Sequence, residues 1–227
     1  MRASRHTPTD RWGPLPPHAV TPPRLALKWL ERMLFVVALS CLGSYGYAVI
    51  EAQLYQSFEN RELDAILRSA PARADASLTS TVPQHREPSA GSTIGRIEIP
   101  RLGVSSIVSA GTDARTLRLA VGHIRGTALP GERGNVGLAG HRDTFFRRLR
   151  NIRRDDAIRV VTPSGTFTYR VEGTTIVEPS DVWVVGPTRE ASLTLVTCYP
   201  FTYIGSAPQR FIVRASLERP ARAAVLH

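Results

Sequence analysis

The chain has 227 residues, enough for one ordinary domain with an anchor and a linker but too few for two enzyme domains. Apolar residues make up 42% and charged residues 21%, a globular balance, while 17 Gly and 17 Pro favour a turn-rich β fold over long helices. The net charge of +10 is spread along the chain, with a local concentration from Arg142 to Arg154, and aromatic residues are not interleaved among the cations as in a stacking platform, which argues against nucleic acid as a partner.

Residues 1–32 read as a basic cytoplasmic tail, within which Pro14, Pro16, Pro17, Pro22 and Pro23 deny residues 1–25 the backbone donors of regular structure. From Met33 to Ile50 no charge occurs for 18 residues, about the length at which a helix begins to span a hydrocarbon core. The preceding segment holds Arg2, Arg5, Arg11, Arg24, Lys28 and Arg32 against Asp10 and Glu31, so the positive-inside bias puts the N-terminus in the cytoplasm and the rest outside the cell membrane, as a single-pass protein. A long basic leader and the lack of a clear small-residue cleavage site favour a retained anchor over a cleaved signal peptide.

Residues 51–92 read as a stalk and flexible linker. Leu54, Phe58, Leu63, Ile66 and Leu67 recur at near-helical spacing up to Pro71, after which Pro, Ser, Thr and Ala dominate. A catalytic domain is expected over 93–219, followed by a tail at 220–227. Within it, about eight short strands are expected: around Ile94–Ile99, Ile107–Val108, Val136–Ala139, Ile158–Val161, Phe167–Val171, Thr174–Val177, Leu193–Cys198 and Phe211–Ala215. A short helix fits 112–120, capped by Thr112 or Asp113, and a further turn fits 143–149. Such a series predicts a mainly β barrel or sandwich.

Two cysteines occur, and Cys41 lies inside the apolar segment, so Cys198 has no partner in a compartment where structural cysteines normally pair. Alternation in LTLVTC puts Leu193, Leu195 and Thr197 on one face and Thr194, Val196 and Cys198 on the other, and Tyr199-Pro200 stops the strand. Cys198 is therefore expected at a strand end, open to substrate. If the strand beginning near Arg210 pairs antiparallel with it, thiol and guanidinium share one rim.

An ordinary thiol is mostly protonated at neutral pH, so a histidine is wanted. His141, presented by the turn-rich run GNVGLAGHRDTFF, is the first choice, and His123 in AVGHIRG the second. The globular part contains no lysine, which excludes a Gly-Lys phosphate loop, a Schiff-base lysine and a Ser/Lys dyad.

The segment TLVTC, with Arg210 of APQRFIV twelve residues after the cysteine and the histidine of GNVGLAGHR 57 residues before it, resembles the sortases. HRDTFF and TCYPF are most similar to the class D-type branch. The resemblance covers about 94–215 and implies a closed eight-stranded β-barrel with short helices, preceded by a transmembrane helix. It implies that Cys198 attacks a threonine carbonyl of an LPxTG-like sorting signal, that His141 protonates the leaving amine, and that Arg210 binds substrate and stabilises the oxyanion. Thr197 and His123 are candidate substrate contacts. The implied partners are proteins bearing a C-terminal sorting signal and an amine acceptor, either a cell-wall precursor or a pilin-like subunit. No cofactor is expected. No metal is expected either, since Asp155, Asp156 and Glu172 do not form a recognisable calcium ligand set.

Two rival readings remain at this level. A cysteine protease would deliver the acyl group to water, and a noncatalytic, membrane-tethered binding module would not need Cys198 at all.

Overall fold

A computed structural model describes residues 24–69 and 87–218. The chain divides into two compact units, 1–47 and 48–227. Helix α1 (Arg24–Ser69) contributes to both. In the first unit its side chains are almost all exposed, including Trp29, Phe35, Leu39 and Leu42. Among the described residues it is the one helix long and apolar enough to cross a membrane. The helix thus begins well before Met33, inside the stretch read as a tail, because no proline follows Pro23 to break it.

Within the second unit, the helical segment expected as a stalk is bonded to the barrel. The Gln56 amide donates to the Leu119 carbonyl at 2.7 Å and accepts from Ile107 N–H at 2.9 Å. Arg96 donates to Asn60 and Asp64, Thr93 to Glu59, and Leu63 is buried. Residues 70–86 of the expected linker, residue 219 and the tail at 220–227 lie outside the described residues.

The barrel is closed. Its strands are β1 (Thr93–Ile99), β2 (Val104–Ala110), β3 (Val121–His123), β4 (Asn135–Ala139), β5 (Ala157–Thr162), β6 (Gly165–Val177), β7 (Ser192–Tyr199) and β8 (Gln209–Leu217), in the order β1-β2-β3-β4-β7-β8-β6-β5. Most pairs are antiparallel, but β2–β3 and β4–β7 run parallel. Alternation drives the closure: Ile97 and Ile99, Val136 and Leu138, Leu193 and Leu195, and Val213 and Ala215 all turn inward to one core. Tyr169 and Phe146 are its largest fully buried side chains.

Eight strands are present, as expected, although two differences offset one another. The two strands read at 167–177 are one strand with an irregularity between Val171 and Gly173, and β3 was not foreseen. Glycine at 173 carries the chain through that irregularity without ending the ladder. The short helix α2 (Ala114–Leu119) is capped by Asp113, whose carboxylate accepts from the N–H groups of Arg115 and Thr116. The turn expected at 143–149 continues into a single 3₁₀ turn, Arg147–Asn151, that sets Leu149 into the core beside Phe146.

Candidate active site

The site is built where β4, β7 and β8 end or begin together. Strand β4 is parallel to β7, so both finish on the same side, and β8, antiparallel to β7, starts there. Register then places Cys198 directly opposite Arg210. Cys198 is half-buried, on the outward face that also carries Thr194 and Val196. The first part of that face is covered by the turn Val182–Val185, where Thr194 donates to Asn135 Oδ1 at 2.8 Å. Val184 and Val185 pack there against Val177, Ile212 and Val196. The cover stops short of the sulfur.

His141 stands two residues beyond the end of β4, and its side chain is exposed. Three bonds fix its backbone. Gly140 N–H extends the ladder to the Val196 carbonyl at 3.1 Å, Thr197 Oγ1 donates to the Gly140 carbonyl at 2.7 Å, and Phe146 N–H closes a turn onto the His141 carbonyl at 3.1 Å. Glycine is required at 140, since a Cβ there would lie 2.8 Å from the buried Phe146 ring.

Arg142 was not foreseen as part of the site. Its side chain is only 6% exposed, and its guanidinium donates to the Pro200 carbonyl at 2.7 Å and, at 3.5 Å, to the Gly205 carbonyl. The arginine next to His141 thereby ties that loop to the segment following Cys198. Asp143 pairs with it at 3.3 Å. Position beside the histidine was the one available signal, and it is weak in a chain so rich in exposed arginine.

His141, Arg142, Asp143, Cys198, Gly205, Ser206, Ala207 and Arg210 together line a cleft of about 300 Å³. The Arg210 guanidinium is held in place by donation to the carbonyls of Ala207 and Gln209 at 3.1 and 3.0 Å. Behind the cleft, Tyr199 stacks on Phe211 at 6.3 Å between ring centroids, and Phe201 meets Phe211 edge-on at 5.2 Å. These rings buttress the strand ends that carry thiol and guanidinium.

Of the five residues expected at the site, three therefore line one cleft. Thr197 is buried beneath it, with its hydroxyl committed to Gly140. His123 lies outside the lining: it is buried, with its ring bonded to the Ala128 carbonyl at 2.9 Å and the Thr127 hydroxyl at 3.1 Å. Asp156 is likewise engaged, by Arg101 and by the N–H of Arg153. Among the described residues no group of three or more His, Cys, Asp or Glu side chains is placed to hold a metal ion.

A closed eight-stranded barrel offering a thiol, an imidazole and a guanidinium in one open cleft is the architecture of a transpeptidase of the sortase kind. The sequence matches the family model of a sortase domain over residues 97–218, and the chain belongs to the sortase family. It is 34% identical to sortase D of Bacillus subtilis over 189 residues, 79% of this chain and 94% of that protein. Among solved structures it is similar to the sortase D5 transpeptidase of Clostridium perfringens, at 31% identity and a TM-score of 0.54, covering 59% of this chain and 83% of that one. A lid mutant of sortase A from Corynebacterium diphtheriae is 29% identical with a TM-score of 0.54, covering 63% and 77% of the two chains.

Proposed function

We propose that this sortase cleaves an LPxTG-like sorting signal after its threonine and passes the acyl group to an amine, with Cys198 as nucleophile. The observation that carries this reading is the convergence of Cys198, His141 and Arg210 on one solvent-open cleft, with Cys198 and Arg210 directly paired across β7 and β8. The thiolate sulfur attacks the threonine carbonyl carbon, and the electron pair of the C=O bond moves to oxygen. Arg210 stabilises that oxyanion, a role a planar, permanently charged five-donor group suits. Collapse breaks the C–N bond, the His141 imidazolium gives its proton to the departing amine, and a thioester remains on Cys198. His141 then takes a proton from the incoming amine, whose nitrogen attacks the thioester and releases the thiolate.

Thr197 acts in this scheme as a positioning residue, since its hydroxyl fixes the carbonyl immediately before His141. Helix α1 anchors the chain in the cell membrane, its basic leader lies in the cytoplasm, and the barrel works outside on proteins that carry a C-terminal sorting signal. The long apolar helix and the charge bias before it support that placement.

The test uses the full chain in detergent with a fluorogenic LPxTG peptide, with and without an added primary amine. An amide-linked adduct that grows with amine concentration supports transpeptidation. Equal hydrolysis under both conditions, with no adduct, leaves a cysteine protease instead.

A further inference from the structure

A second cleft, larger than the one at Cys198, is lined largely by arginine. Arg101, Arg147, Arg148, Arg150 and Arg153 surround a cavity of about 640 Å³ at the 3₁₀ turn Arg147–Asn151 and the 3₁₀ turn Pro100–Leu102 that precedes β2. Two of these guanidinium groups are set in place by the fold. Arg148 donates to the carbonyls of Leu102 and Gly103 at 2.9 and 3.2 Å, and Arg101 pairs with Asp156 while donating to the Asn151 carbonyl at 2.6 Å.

The other three are not. Among the described residues the side chains of Arg147 and Arg150 make no hydrogen bond or ion pair, and Arg153 feels Asp156 only as a nearby charge. Asp156 already serves Arg101 and the Arg153 backbone, so five cations share a concave surface with one occupied carboxylate. Their mutual repulsion lowers stability, and none of the three exposed arginines adds a bond that offsets it. A bound anion removes that repulsion.

We propose that this cleft is a binding site for a phosphate-bearing anion. A multiply charged phosphate group engages several guanidinium forks at once, whereas a lone carboxylate saturates with one. The lining has no aromatic side chain on which a nucleobase could stack, which disfavours single-stranded nucleic acid. The phosphate comes either from a soluble compound or from an anionic lipid headgroup, and both offer the same chemistry to the cleft. This site is separate from the Cys198 chemistry and stands whether or not that reading holds.

The test is phosphorus NMR line broadening of inorganic pyrophosphate by the full chain in a nonionic maltoside micelle. The Arg147→Ala/Arg150→Ala/Arg153→Ala variant should bind at least about tenfold more weakly. A control of equal charge change on exposed arginines elsewhere, Arg115→Ala/Arg125→Ala/Arg189→Ala, should stay within about twofold of the parent. Displacement of bound pyrophosphate by micelles doped with phosphatidylglycerol assigns the site to a lipid headgroup, and its persistence assigns it to a soluble phosphate. Absence of saturable pyrophosphate binding, or equal weakening in both triple variants, overturns the proposal.

Discussion

Cys198 and Arg210 face each other across the antiparallel pair β7–β8, at the point where one strand ends and the other begins. Twelve residues of sequence separate them, yet the register makes them immediate neighbours on the cleft rim. Arg210→Lys keeps the charge but loses the planar fork, so the variant should fold normally and lose about 10²–10³ in kcat. Steady-state kinetics on the sorting peptide would check this, and a lysine variant as active as the parent would remove Arg210 from the oxyanion role.

Arg142 links the loop of His141 to the segment after Cys198 through the Pro200 carbonyl. Arg142→Ala should leave that carbonyl without its buried donor, costing about 1–3 kcal/mol of stability. The expected kinetic signature is a fall in kcat larger than any change in KM, partly restored in Arg142→Lys. A purely structural role would show a lowered Tm with unchanged kcat in the folded fraction.

Gly140→Ala should drive a methyl group to within 2.8 Å of the Phe146 ring, an atom of the core that has no room to retreat. A destabilisation of about 1–3 kcal/mol is expected from this overpacking. Combining Gly140→Ala with Phe146→Leu should recover part of the lost kcat, if the damage passes through the placement of His141. Thermal melts and rates on the two single variants and the double variant provide the comparison.

The Arg101 guanidinium, helped by the Arg153 N–H, holds the Asp156 carboxyl below its ordinary pKa. A depressed carboxylate contributes stability that is complete above its unfolded value of about 4 and is lost as pH falls through the lower folded value. Asp156→Asn should therefore be less stable than the parent by about 1 kcal/mol at pH 7, since Arg101 is partly open to solvent. The gap should close as pH drops below about 4, which denaturant titrations across that range would measure.

Much of the fold was legible because strand alternation is local. LTLVTC alone separates the inward face of Leu193, Leu195 and Thr197 from the outward one ending at Cys198, and the structure keeps that division. Strand β3 escaped because VGH is three residues long with glycine at its centre, so its pairing comes from neighbours β2 and β4 rather than from its own pattern. That thiol and guanidinium share a rim followed from the strand ends, but the meeting of His141 with them was readable only through the family resemblance, since the parallel pairing of β4 with β7 is a long-range contact that spacing does not encode. The buried tie from Arg142 carries only the weak signal of its place beside His141, and the docking of Gln56 on the barrel carries none. Both depend on carbonyls that only the folded chain brings within reach.

Intact-mass spectrometry of the full chain during turnover of a sorting peptide decides whether Cys198 is the nucleophile. A mass increase equal to the acyl fragment ending in threonine is expected on Cys198, discharged by an added amine and absent in Cys198→Ala. Steady product formation by Cys198→Ala, or an acyl group found on any other residue, would remove Cys198 from the nucleophile's role.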